Sequence, residues 1–105
     1  MLNKMSFMNN AQLSGMSKKQ STSKRGQWQI ILHDDDRNTF DHVIDCLVEV
    51  CGHNYYQAVQ CATITHNNNQ CSIFVDDWYT CEDVGDMLQR NGLTISVTKF
   101  KNKKR

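Results

Sequence analysis

Three consecutive carboxylates, Asp34, Asp35 and Asp36, separate an apolar segment ending at Leu32 from a helix signalled from Asn38 onward, and one imidazole, His66, closes the following helical segment. Anions at such a corner have four uses: a solvated loop at the positive end of a helix, a metal site, acid–base chemistry, or pairing with a cationic ligand. A Ca²⁺ loop needs D-x-D-x-D-G spacing with a distal Glu, and neither is present. A Zn²⁺ site would recruit His66 with two carboxylates, but His33, His42 and His53 stand at no ligand spacing, so no metal and no other cofactor is expected. An Asp/His pair without an adjacent nucleophile, an oxyanion donor or a Gly-rich phosphate loop does not make a hydrolase. Cys61 lies five residues before His66 and projects from a different helical face, which reads as a structural thiol.

What remains is a solvated corner, with His66 capping its own helix, or a pocket. In the pocket reading, carboxylates and an imidazole face a cation while Phe40, Val43, Ala62 and Thr65 lie one turn in. That combination suits an ammonium group joined to an apolar side chain, and a peptide N-terminus is such a ligand.

The elements that position these residues follow from period and punctuation. Trp28, Ile30 and Leu32 alternate into a short strand that ends at the acidic corner. Asn38 with Asp41 reads as an N-cap and capping-box variant, after which Phe40, Val43, Ile44, Leu47, Val48 and Cys51 form one apolar helical face that Gly52 stops. Asn54 with Gln57 repeats the cap for a second helix with an inner stripe of Tyr55, Ala58, Val59, Ala62 and Thr65, broken at Asn67 to Asn69. Cys71 to Val75 reads as a strand. Thr80 with Asp83 caps a third helix carrying Val84, Met87 and Leu88 and closed by Gly92. Leu93, Ile95 and Val97 alternate in a last, half-buried strand. The order β-α-α-β-α-β predicts an α+β domain, a three-stranded antiparallel sheet with helices packed on one face.

Charge is segregated. Ten of the twelve basic residues lie in the two ends, whereas residues 26 to 98 set Arg37 and Arg90 against all eleven carboxylates, a formal charge of −9. An acidic body points to a cationic partner and away from a folded nucleic-acid surface. Residues 1 to 25 hold no acid and no sustained apolar period and read as a flexible basic arm, with an organelle transit peptide as the competing reading; residues 101 to 105 form a basic tail. Five cysteines, no C-x-x-C pair and no secretory signal imply a reducing, cytoplasmic setting, and no apolar run is long enough for a membrane span.

From about Trp28 to Phe100 the chain resembles ClpS, the adaptor family of the ATP-dependent Clp protease. The resemblance rests on a strand followed by His33-Asp34-Asp35-Asp36, then Asn38-Thr39-Phe40-Asp41, Val43-Ile44-Asp45-Cys46-Leu47, Ala58 and His66, matched without a gap. It implies a non-catalytic adaptor that binds the free, bulky hydrophobic N-terminal residue of substrate proteins, an N-degron, and delivers them to a Clp AAA+ unfoldase through the unfoldase's N-terminal domain. Asp34, Asp36 and His66 would bind the α-amino group, and Asn38, Phe40, Val43, Ala62 and Thr65 would line the side-chain pocket. Asp34 stands where the family usually carries Asn, Phe40 where many members carry Met, and Ala62 and Thr65 where bulkier apolar residues are common. The arm would assist hand-over, and the free protein is expected to be a monomer with no nucleic-acid or membrane partner. Two alternatives stay open: a diverged member that modulates the unfoldase without binding degrons, and a nucleic-acid or ribosome-associated module acting through the basic tails.

Overall fold

A computed structural model of the chain describes residues 23–101, so the basic arm and tail lie outside the described residues except for 23–25 and 101. The first strand, β1 (Trp28–His33), is the middle of three, in the order β2-β1-β3, and pairs antiparallel with both neighbours. Its alternation turns Ile30 and Leu32 wholly inward, where they meet Val97 and Ile95 across the β3 (Ile95–Lys99) ladder. Against β2 (Gln70–Asp76) the register slips between Ile30 and Ile31, leaving Ile73 as an extra residue that points into the core. A bulge leaves backbone groups without a ladder partner, and the carbonyl of Ile73 accepts instead from His53 Nε2 at 2.7 Å.

Three helices, α1 (Phe40–Cys51), α2 (Tyr55–Asn68) and α3 (Trp78–Arg90), cover one face of the sheet, in the expected β-α-α-β-α-β order. Gly52 ends α1 in the left-handed conformation, and Asn54 with Gln57 forms a full capping box on α2. The cap of α1 is Thr39 rather than Asn38: the Thr39 hydroxyl accepts from the His42 N–H, while Asn38 is held by partners in the acidic corner and beyond α3. The cap of α3 is Asp77 rather than Thr80, its carboxylate accepting from the Thr80 N–H at 2.8 Å. An anionic side chain at the positive end of a helix is the stronger cap, and it comes first along the chain. The inward row of α3 is Cys81, Val84, Gly85 and Leu88, at i, i+3, i+4 and i+7, and Met87 falls off that row at 44% exposure. Tyr55, in the first turn of α2, is likewise exposed rather than part of the inner stripe.

Gly85 marks where α3 lies closest to the sheet. A Cβ there would stand 3.1 Å from Ile95 Cδ1 and 3.5 Å from Val97 Cγ2. Gly85→Val is therefore expected to overpack this seam and cost about 1–3 kcal/mol, read as a lower urea midpoint with an unchanged slope.

Candidate functional site

The end of β1 is clamped on both sides before the chain enters the acidic corner. His33 N–H donates to Thr94 O and Asp34 N–H donates to Asn69 O, each at 2.9 Å, and His33 Nε2 is hydrogen-bonded to Ser96 Oγ at 2.8 Å. Asn69 is the left-handed C-cap of α2, so the second clamp brings the last turn of α2, with His66, to the same cleft as Asp34.

Asp35 lines the cleft but spends its carboxylate on organising the corner. Its carboxylate accepts from the Arg37 and Asn38 N–H groups, from Asn38 Nδ2 at 2.9 Å and from Thr94 Oγ1 at 3.0 Å. The second amide proton of Asn38 goes to Gly92 O at 2.9 Å, and His42 Nε2 donates to Asn91 O at 2.8 Å, so α1 and the corner are fastened to the turn after α3. Gly92 sits at φ +91°, a left-handed backbone that disfavours a side chain.

Desolvation of Asp35 works to raise its pKa, but the Asn38, Arg37 and Thr94 donors outweigh it and hold the carboxyl down at about 2. A folded pKa below the ordinary 3.8 means that the stabilisation is complete above about pH 4 and is lost as pH falls through 2. Asp77 is shifted the same way by the Thr80 N–H. Urea titrations from pH 4.5 to 2 are expected to lose on the order of 1–2 kcal/mol through Asp35, and Asp35→Asn is expected to flatten that part of the profile.

The cleft so framed has a volume of about 370 Å³. All eight residues anticipated from the sequence line it: Asp34, Asp36, Asn38, Phe40, Val43, Ala62, Thr65 and His66. Ala62 and Thr65 are buried in its wall, Val43 is half-buried, and Phe40 is 46% exposed, the placement of a side chain at a mouth. Asp34, Asp36 and His66 are exposed. Among the described residues, neither of the two carboxylates accepts a hydrogen bond or pairs with a cation, and the imidazole has no hydrogen-bond partner. Asn38 lines the cleft with both amide protons spent on the scaffold, one on Asp35 and one on Gly92 O.

Leu32, His33, Asp35 and Leu93 also line the cleft and were not anticipated. Leu32 and His33 were signalled by the strand that runs into the corner, and Leu93 by its alternation with Ile95. Leu93 lies in the turn before β3 and is buried against the site.

Cys61 is no ready nucleophile beside His66. Burial, reinforced by the neighbouring Cys71, pushes its thiol up to about 12, and burial with the nearby thiols of Cys61 and Cys46 does the same to Cys51. All five cysteines are free thiols. No cluster of three His, Cys, Asp or Glu side chains suited to a metal exists among the described residues, and none of their helices is long and apolar enough to cross a membrane.

Among curated proteins no sequence matches the chain. The fold is similar to the structure of Agrobacterium tumefaciens ClpS2 bound to L-phenylalaninamide, with a TM-score of 0.59 and 14% identity, covering 68% of this chain and 93% of that one. The family model for the ATP-dependent Clp protease adaptor protein ClpS matches residues 23–96, a span that takes in every residue of the cleft. The chain belongs to the ClpS family of Clp protease adaptors.

Proposed function

We propose that the cleft binds the free N-terminal residue of substrate proteins, with the α-amino group at Asp34, Asp36 and His66 and a bulky hydrophobic side chain between Phe40, Val43, Ala62, Thr65 and Leu93. The observation that carries this reading is the pairing of two uncommitted carboxylates and an imidazole with an apolar cleft of about 370 Å³. Carboxylates exposed at the rim accept from an ammonium without having to break an existing ion pair, and the apolar wall removes a hydrocarbon side chain from water. The ligand of the similar ClpS2 structure, L-phenylalaninamide, joins these two features in one small molecule.

The bound protein is then handed to a Clp AAA+ unfoldase, docked through the unfoldase's N-terminal domain, and degraded by its protease. The adaptor itself is non-catalytic, cytoplasmic and monomeric when free. Family membership supports this delivery role, and the −9 charge of residues 26 to 98 suits protein partners better than nucleic acid.

Chemical-shift mapping with L-phenylalaninamide tests the binding step. Amide signals from Asp34 to Phe40, from Ala62 to His66 and at Leu93 are expected to move, and N-acetyl-phenylalaninamide is expected to leave them in place. Equal shifts with both compounds, or shifts confined to another surface, would contradict the proposal.

A further inference from the structure

Thr65 is the one buried polar residue of the described chain, at 5% exposure, and it lies in the cleft wall among Leu32, Val43, Ala62 and Leu93. Its hydroxyl donates to Cys61 O at 2.8 Å, one turn back along α2. That bond uses the only proton of the group. A hydroxyl oxygen also carries two acceptor lone pairs, and no donor among the described residues reaches them. The apolar lining residues Leu32, Val43, Ala62 and Leu93 have no side-chain donor to offer it, so a ligand that excludes water from the oxygen leaves the acceptor unpaired unless the ligand brings a donor.

We infer that Thr65 is a specificity-determining residue, and that the cleft prefers N-terminal residues whose aromatic ring carries a hydrogen-bond donor, tryptophan and tyrosine, over phenylalanine and leucine. The inference rests on the proposed N-terminal-residue site. Indole N–H and phenol O–H are donors that ordinarily find a partner when buried, whereas phenyl and isobutyl groups have nothing to offer the Thr65 oxygen. Ala62 supplies the room. It lies three residues before Thr65 on the same helical face, and its methyl leaves the space beside the hydroxyl open to a wide ring. A wall of hydrocarbon alone separates ligands mainly by size, while an acceptor within it separates them by polarity.

The size of the effect follows from one neutral hydrogen bond, about a three- to tenfold difference in affinity. It is measured by fluorescence polarisation on peptides identical except at the N-terminal residue: tryptophan, tyrosine, phenylalanine, leucine, and benzothienylalanine, which replaces the indole N–H with sulfur at nearly the same shape. On the native protein, tyrosine is expected to bind about three- to tenfold tighter than phenylalanine, and tryptophan tighter than benzothienylalanine by the same factor. In Thr65→Val both ratios are expected to fall to about one. The ligand-side comparison on native protein stands whether or not the variant folds. Ratios of one or below on the native protein, or ratios that persist in Thr65→Val, would overturn the inference while leaving the proposed function intact. Failure of all five peptides to bind would overturn both.

Discussion

Replacing Asp34 and Asp36 together by asparagine is expected to weaken binding of a peptide that begins with phenylalanine by about 100-fold, because a hydrogen bond to a charged group contributes about 1.5–3 kcal/mol against about 0.5–1.5 for a neutral one. The two losses share one ammonium group and will not simply add. Asparagine keeps the shape and still accepts through its carbonyl oxygen, so the change removes charge rather than contacts. Stability is the control. Both carboxylates are exposed and hold no other part of the described structure, so the double variant is expected to unfold within about 0.5 kcal/mol of the native protein. Asp35→Asn is the opposite case, since its carboxylate holds the corner through Arg37, Asn38 and Thr94. Peptide titration of the two variants beside urea unfolding separates the carboxylates that face the ligand from the one that builds the site. Binding to native protein is also expected to weaken as salt rises, because the charges at the rim are open to screening.

Leu47→Ala is expected to cost the fold about 2–5 kcal/mol. Leu47 is fully buried on α1, in the core cluster with Ile44, Ala58 and Ile73, and its removal leaves a cavity that neighbouring side chains close only in part. A domain of this size is stable by about 5–15 kcal/mol in all, so the loss is a large fraction of the whole. At about 4–8 °C per kcal/mol the thermal midpoint should fall by at least about 8 °C. Leu47→Met, which conserves volume, should cost less than about 1.5 kcal/mol. Because α1 also carries Phe40 and Val43, the alanine variant loses its cleft when it unfolds. Below its midpoint it should still bind, since Leu47 does not line the site.

Much of this architecture is legible in the residues because it is written locally. The alternation at Trp28, Ile30 and Leu32, the Asn54/Gln57 capping box and the Gly52 stop each involve residues within a few positions of one another. Local rules fail where a distant partner competes. Asn38 has every local mark of an N-cap, yet its amide binds Gly92 O, 54 residues away, and the cap passes to Thr39. Asp35 reads like its two neighbours until Thr94, 59 residues on, is seen to donate to it. Thr80 reads as a cap, yet Asp77, three residues earlier, accepts from its N–H and starts α3 one turn sooner. Five of the eight anticipated side chains, Phe40, Val43, Ala62, Thr65 and His66, were recoverable because α1 and α2 carry them at regular helical spacing. Leu93 was not, since its alternation with Ile95 signals burial but not which distant residues it meets.

The most direct measurement is a fluorescence-polarisation titration with four peptides that differ only at the first residue: phenylalanine, leucine, acetylated phenylalanine and glycine, each against native protein and His66→Ala. The account predicts that phenylalanine and leucine bind the native protein, that acetylation removes binding by discharging the α-amino group, that glycine fails for want of a side chain, and that His66→Ala loses at least about tenfold in affinity. Equal affinity for the free and acetylated phenylalanine peptides, or no binding by either hydrophobic peptide, would contradict it.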